Sequence, residues 1–435
     1  MKPPTTLSGF FMAGLLAAAL SFPTAGAVMT NQTDQAPIPG DEASSNAVGP
    51  DHVTGRTRSS TQWIGSWAAA MTPAGTADSI SGSGFTDATL RQTAHLSVGG
   101  DSLRIRISND FGTTPLVVGS ATVYPGSAAE DPDPGQLRQV TFDGAASVTI
   151  PAGAEWVSDP VRLPVESNSD LTVSMYLPGP TGPASVHSLG MATSYRAAGN
   201  ATSDPAESYD VLDTSRYFLE GIDTSSSALG SVVFFGDSIT DGYASTVDAN
   251  RRYPDQVADR LLRRPEARQC GVLNSGISGN RVLEDAGTAG ISALARFEDD
   301  VIDQTGVRSV VLLEGINDIG RTGGALDPAS LIAVYRQFID RAHDHGIRVV
   351  GATLTPYGGA GYYSDQGEQD RQAVNFWIRT SGEFDAVIDF DAAVRDPRDR
   401  SRIRPQFDPG DHLHPNDAGY AAMASAVRLQ DICSR

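Results

Sequence analysis

Residues 231–241 read Ser-Val-Val-Phe-Phe-Gly-Asp-Ser-Ile-Thr-Asp. Val232, Val233, Phe234 and Phe235 form a short continuous apolar run, the pattern of a parallel strand buried on both faces, and Gly236 begins the turn that ends it. In open α/β sheets ligands gather at the carboxyl ends of such strands, which places Ser238 at the mouth of the sheet with the following segment free to enter a helix. A hydroxyl there needs a base before it becomes a nucleophile.

From this strand onward the chain alternates strand and helix. Tyr253 to Leu262 reads as a helix, Val272-Leu273-Asn274-Ser275 as a strand, and Val310-Val311-Leu312-Leu313 as another. A helix over Pro328 to His343, strands at Val349-Val350 and Ala386-Val387-Ile388, and a last helix complete the series. Such alternation implies a parallel sheet with right-handed crossovers, here a three-layer α/β domain over residues 228–435.

His414 is the candidate base. Asp411 stands three residues earlier, a spacing that lets a carboxylate fold back onto the imidazole and hold its tautomer. Pro415 stiffens the exit, and Asn416 caps a helix suggested by Ala418, Tyr420, Ala421, Met423, Ala424, Val427 and Leu429. Acyl transfer also needs donors aimed at an oxyanion. Gly279 follows the second strand and lets the backbone approach a substrate closely; Asn317 follows the third and offers a side-chain amide.

The blocks GDSIT at 236–240, SGN at 278–280, GIND at 315–318 and DHLHPN at 411–416, in this order, resemble those of the SGNH hydrolases, the GDSL-type esterase and lipase superfamily. The resemblance covers about the last half of the chain and implies a flavodoxin-like hydrolase fold. It implies Ser238 as nucleophile and first oxyanion donor, Gly279 and Asn317 as the other donors, His414 as base and Asp411 as its orienting acid. No metal or organic cofactor is implied. Asp237 and Asp241 are expected to brace the turn around the serine.

Competing chemistries lack their residues. No serine has the GxSxG elbow of the ordinary α/β-hydrolase fold, and lysine is absent after Lys2, which removes Schiff-base chemistry, a Ser–Lys dyad and a phosphate-loop lysine. His343 and His345 mark a helix C-terminus rather than a metal pair. His412 either lines the pocket or faces solvent. Tyr357, Tyr362 and Tyr363, in a glycine-rich loop, are candidate substrate-lining rings or merely pack on their own domain.

The N-terminus carries Lys2, an apolar stretch from Phe10 to Leu20 and an Ala25-Gly26-Ala27 ending, the layout of a secretory signal over residues 1–27. Residues 28–60 read as a flexible polar leader. From 61 to 227 alternation dominates: Leu103, Ile105 and Ile107 share one strand face, Arg104 and Arg106 the other, and Leu171, Val173, Met175 and Leu177 repeat it. Gly/Pro/Asp clusters separate these runs, as in an antiparallel β-sandwich. Its expected role is packing partner or lid first, glycan binding second. Export lets Cys270 and Cys433 oxidise, and a disulfide between them is expected, with two separate buried thiols as the alternative.

A net charge of −20, from 52 acidic and 32 basic side chains, argues against nucleic acid and against anionic membrane surfaces. The sequence therefore points to a secreted serine carboxylester hydrolase acting on short acyl, chiefly acetyl, esters of carbohydrate. Lipase or lysophospholipase chemistry on lipid or simple esters is the second reading, and a glycan-binding surface protein with a vestigial hydrolase domain the third. Oligomeric state is not legible.

Overall fold

The computed structural model describes residues 62–434, so the expected signal segment and leader lie outside the described residues. Ser231–Gly236 is buried along its whole length and lies inside a five-stranded parallel sheet, between Gly271–Gly276 and Val307–Leu313. Arg348–Ala352 and Ala386–Ile388 extend the sheet beyond the third strand. In chain order this is 2-1-3-4-5, the flavodoxin-like arrangement, whose order reverses between strands 1 and 3. The crevice at that reversal opens at the carboxyl ends of the strands carrying GDS and GIND.

Adjacent residues of a strand face opposite sides of the sheet. Phe234 makes an edge contact with Tyr253 of the helix Tyr253–Leu261, whereas Phe235 makes one with Phe338 of the helix Pro328–Asp344. Helices therefore cover both faces, and the unbroken apolar run of this strand is buried between them. Asp417–Ala426 packs beside the first of these helices, and Asp365–Thr380 beside the second. His343 and His345 close the Pro328–Asp344 helix and bond separately, to the Asp385 carboxylate and the Arg341 carbonyl.

Residues 62–226 form antiparallel sheets. Gln62–Ala68, Leu219–Ser226, Leu103–Ser108 and Glu155–Val157 make a four-stranded sheet; Asp210–Asp213, Ser194–Ala198, Ala88–Leu96, Ser169–Leu177, Ser120–Pro125 and Arg138–Val140 make a six-stranded one. Ile105, Ile107 and Ile222 of the first share a core with Leu90, Val173 and Met175 of the second. The alternating patterns thus bury one face each against the other sheet.

This sandwich also covers an edge of the parallel sheet. Ala69 bridges in parallel to Asn274, and Ser97 Oγ accepts from the Val272 amide at 2.8 Å, so the backbone of the Gly271–Gly276 edge strand is not left open for another chain. Cys270, just before that strand, is bonded to Cys433 at the end of the last helix, Leu429–Ile432, across a sequence separation of 163. A cross-link of this kind contributes about 2–4 kcal/mol, largely by restricting the unfolded chain.

One expected element is divided. The apolar stripe from Ala418 to Leu429 predicts one helix, but the helix ends at Ala426, Val427 turns out to extended geometry, and Leu429–Ile432 forms a separate short turn. Arg260 explains the break: its guanidinium takes the carbonyls of both Ala424 and Val427, replacing the helical acceptors' partners. Among the described residues no helix is long and apolar enough to cross a membrane.

Candidate active site

Ser238 opens the short helix Ser238–Asp241 directly after the first strand, and Asp237 caps that helix by accepting from the Ile239 amide at 2.9 Å. The turn demands glycine at 236, where a Cβ would lie 2.1 Å from Thr240 Oγ1 and 2.6 Å from the Leu313 carbonyl oxygen. The first amides of a helix have no intrahelical acceptor, which leaves the Ser238 N–H available.

The loop from the far C-terminus meets this serine. Ser238 Oγ lies 2.7 Å from His414 Nε2, and His414 Nδ1 lies 2.6 Å from Asp411 Oδ2. Because the Asp411 carboxylate accepts a hydrogen bond from Nδ1–H, Nε2 is the acceptor and the serine hydroxyl the donor. The other Asp411 oxygen accepts from the Leu413 and His414 amides, both at 3.0 Å, so the acid is fixed by the loop it orients. Burial pushes the Asp411 pKa up, but these amides and the imidazole outweigh it and hold the carboxyl below its ordinary value. Burial depresses the His414 pKa, with Asp411 opposing only in part. A neutral imidazole is what can take a proton, so kcat/KM for p-nitrophenyl acetate is expected to fall as pH drops, with a midpoint below the ordinary histidine value of 6.5. Asp237, which burial pushes up to about 7, is the competing titration; an acid limb that vanishes in Asp237→Asn would assign it there instead.

Gly279 lies in the turn closed by Asn280 N donating to the Ile277 carbonyl, and its φ of +82° is one that a residue with a Cβ resists. Asn317, in the short helix Ile316–Arg321 after the third strand, donates through Nδ2 to the Asn280 carbonyl at 3.0 Å and accepts from Tyr362 Oη at 3.3 Å. The amide is thereby oriented, with its second N–H hydrogen uncommitted to that bond.

The three strand ends are tied together by a residue that pattern reading missed. Arg296, 3% exposed, donates to the carbonyls of Gly236 and Ser275, to Asn280 Oδ1, and to the carboxylates of Asp300 and Glu314. Its guanidinium also lies 4.0 Å from the Phe235 ring centre. No local signal in ALARF marks this arginine, because its partners come from four separate segments. Asp318 adds a second clamp, accepting from the Val282 and Leu283 amides.

A further link comes from the sandwich. His187 is buried, bonding Asp241 Oδ1 through Nε2 at 3.0 Å and the Ala70 carbonyl through Nδ1 at 2.9 Å, while Asp241 Oδ2 accepts from the Ser278 amide at 2.9 Å. Burial disfavours the imidazolium, but Asp241 and the Ala70 carbonyl outweigh it and raise the His187 pKa. The Asp241 side chain thus ties the glycine turn to the sandwich, while at the serine turn it is Asp237 whose side chain bonds the backbone.

Of the tyrosines, Tyr357 does not present itself to a substrate: it is fully buried, with the rings of Tyr362 and Tyr363 packed on it. Tyr362 lies across Gly320 and reaches Asn317, and Tyr363 bonds Asp365. His412 adopts left-handed backbone, is held by Asp408 and lies against Gly359. The ring that does flank the histidine is Tyr243, half-exposed and centred 4.3 Å from the His414 ring, which sequence reading had not singled out.

Residues 234–422 match the model of the GDSL-like lipase/acylhydrolase family. This part of the chain is a GDSL-like acylhydrolase domain. The protein is accordingly an enzyme of the carboxylic ester hydrolase class. Among solved structures, the chain is similar to a GDSL-like lipase from Bacteroides thetaiotaomicron VPI-5482, at 20% identity and a TM-score of 0.34 over 45% of this chain and 84% of that one. It is similar to a member of the lipolytic G-D-S-L family from Veillonella parvula DSM 2008, at 20% identity and 0.33 over 45% and 94%. A variant of an acetyl xylan esterase from Geobacillus stearothermophilus is 24% identical, with a TM-score of 0.36 over 46% and 94%. Among curated proteins, none matches this chain.

Proposed function

We propose that the protein is a secreted serine esterase that removes short acyl groups, chiefly acetyl, from carbohydrate. The observation that carries the chemistry is the continuous relay from Ser238 Oγ through the His414 ring to Asp411, with heavy-atom distances of 2.7 and 2.6 Å. Ser238 Oγ attacks the ester carbonyl as His414 Nε2 takes its proton. The N–H groups of Ser238 and Gly279 and the Asn317 amide receive the oxyanion. His414 then returns the proton to the leaving alcohol, and water activated by the same imidazole releases the acid from the acyl-enzyme.

The leaving alcohol must lie beside the histidine that protonates it. Tyr243 borders that position with a partly exposed ring, a flat apolar face with a polar tip of the kind on which sugar rings rest. Secretion is supported by the Cys270–Cys433 bond, which persists in oxidising compartments, together with the signal-like N-terminal composition.

Hydrolysis rates along the series from p-nitrophenyl acetate to p-nitrophenyl palmitate test the acyl preference. The expected result is a steep fall in kcat/KM beyond butyrate, accompanied by release of acetate from acetylated xylan. A rate that rises toward palmitate would replace this reading with lipid esters.

A further inference from the structure

Away from the serine, three carboxylates from three neighbouring strands converge at one end of the four-stranded sheet. Asp110 follows the strand Leu103–Ser108, Glu155 pairs with Ser108 from the next strand, and Glu220 lies in the strand on the other side. The register of Leu219–Ser226 against Leu103–Ser108 shifts between Leu219 and Gly221, so Glu220 is the bulged residue. Bulges re-aim side chains, and this one turns a carboxylate into an interior that alternation alone would have filled with an apolar group.

One oxygen from each of the three residues lies within 4.8 Å of the others. Around a calcium ion, with bonds of about 2.3–2.6 Å, two oxygens can stand up to about 5 Å apart; around magnesium, with bonds of about 2.0–2.1 Å, only about 4 Å. Oxygen-only donors select hard cations in any case.

Glu220 supplies the independent sign of a ligand. The residue is only 5% exposed, and its Oε2 is sealed from solvent with no hydrogen-bond partner. A buried carboxylate oxygen left in this state is costly unless something meets it. Its companions have partial partners only: Glu155 Oε2 takes Arg106 Nη1 at 2.7 Å, and Asp110 Oδ2 takes Ser108 Oγ at 2.8 Å. Beside Asp110 and Glu220 lies a cavity of about 40 Å³, lined also by Arg296, Asp299 and Asp300. That is room for water to complete a shell of six to eight oxygens.

We propose that Asp110, Glu155 and Glu220 bind a calcium ion where the sandwich meets the hydrolase sheet. The ion's two charges offset the two carboxylates, Asp110 and Glu220, that Arg106 leaves uncompensated, and the ion stabilises the seam. A proton on Glu220 is the competing solution: burial and the neighbouring Glu155 and Asp110 raise its pKa well above the ordinary carboxyl range. The two differ in their response to calcium.

The full-length protein, stripped with EDTA and exchanged into metal-free buffer at pH 8, is titrated with calcium chloride by calorimetry. Its melting is followed with and without 5 mM calcium or magnesium chloride, on the order of the concentrations that saturate extracellular calcium modules. The proposal expects one calcium per chain, a higher Tm with calcium and a weaker response to magnesium. Glu220→Gln and Asp110→Asn, each checked for native circular dichroism, should each weaken binding at least about ten-fold. No heat and an unchanged Tm in the unmodified protein would overturn it and leave the proton in place. So would calcium binding undiminished in both variants, since the ion would then sit elsewhere.

Discussion

Ser238→Ala should lower kcat for p-nitrophenyl acetate on the order of 10⁶-fold, the loss expected when the nucleophile of a serine–histidine relay is removed. The substitution deletes one buried oxygen, 2.7 Å from His414 Nε2, and leaves the strand, the cap by Asp237 and the Arg296 ties untouched. The folded state should therefore be preserved, and KM should change little. His414→Ala should cost a similar factor, and the double variant hardly more than either alone, because the two groups act as one unit. Steady-state rates of the three variants, with circular dichroism as the folding control, check this.

Asn317→Ala is the second large effect. Removing one oxyanion donor costs about 10²–10³ in kcat, or ~2.7–4 kcal/mol of transition-state stabilisation. The amide also holds the Asn280 carbonyl and receives Tyr362 Oη, so its loss loosens the glycine turn as well. The signature is a fall in kcat with KM nearly constant, since the lost bond strengthens only as charge develops on the carbonyl oxygen. A rise in KM at unchanged kcat would instead make Asn317 a substrate-binding group. Tyr362→Phe should have a far smaller effect, as it removes only a long bond to the amide's oxygen.

The parts legible in the sequence were those encoded locally. Val232 to Phe235 could be read as a doubly covered strand because nothing polar interrupts it, and the structure places Tyr253 on one side and Phe338 on the other. Asp411 and His414 could be paired because three residues of loop suffice to bring a carboxylate back onto an imidazole. What escaped depends on distant segments. His187 reaches Asp241 across 54 residues and from a different sheet, and Arg296 joins strand ends that no period relates. The bulge at Glu220 shifts register by one position and so breaks the very alternation from which burial is read. The long C-terminal stripe read as one helix because periodicity cannot register Arg260 taking its carbonyls. Tyr357 reads as available in a glycine-rich loop, yet the loop folds over it and sets Tyr362 against the buried Asn317.

An activated Ser238 should be the residue that an organophosphate labels. Incubation with diisopropyl fluorophosphate, followed by intact mass and peptide mapping, locates the adduct. One adduct per chain on Ser238, forming in step with loss of esterase activity and far more slowly in His414→Ala, is the predicted result. An adduct on another residue, or full activity after Ser238 is labelled, would contradict it.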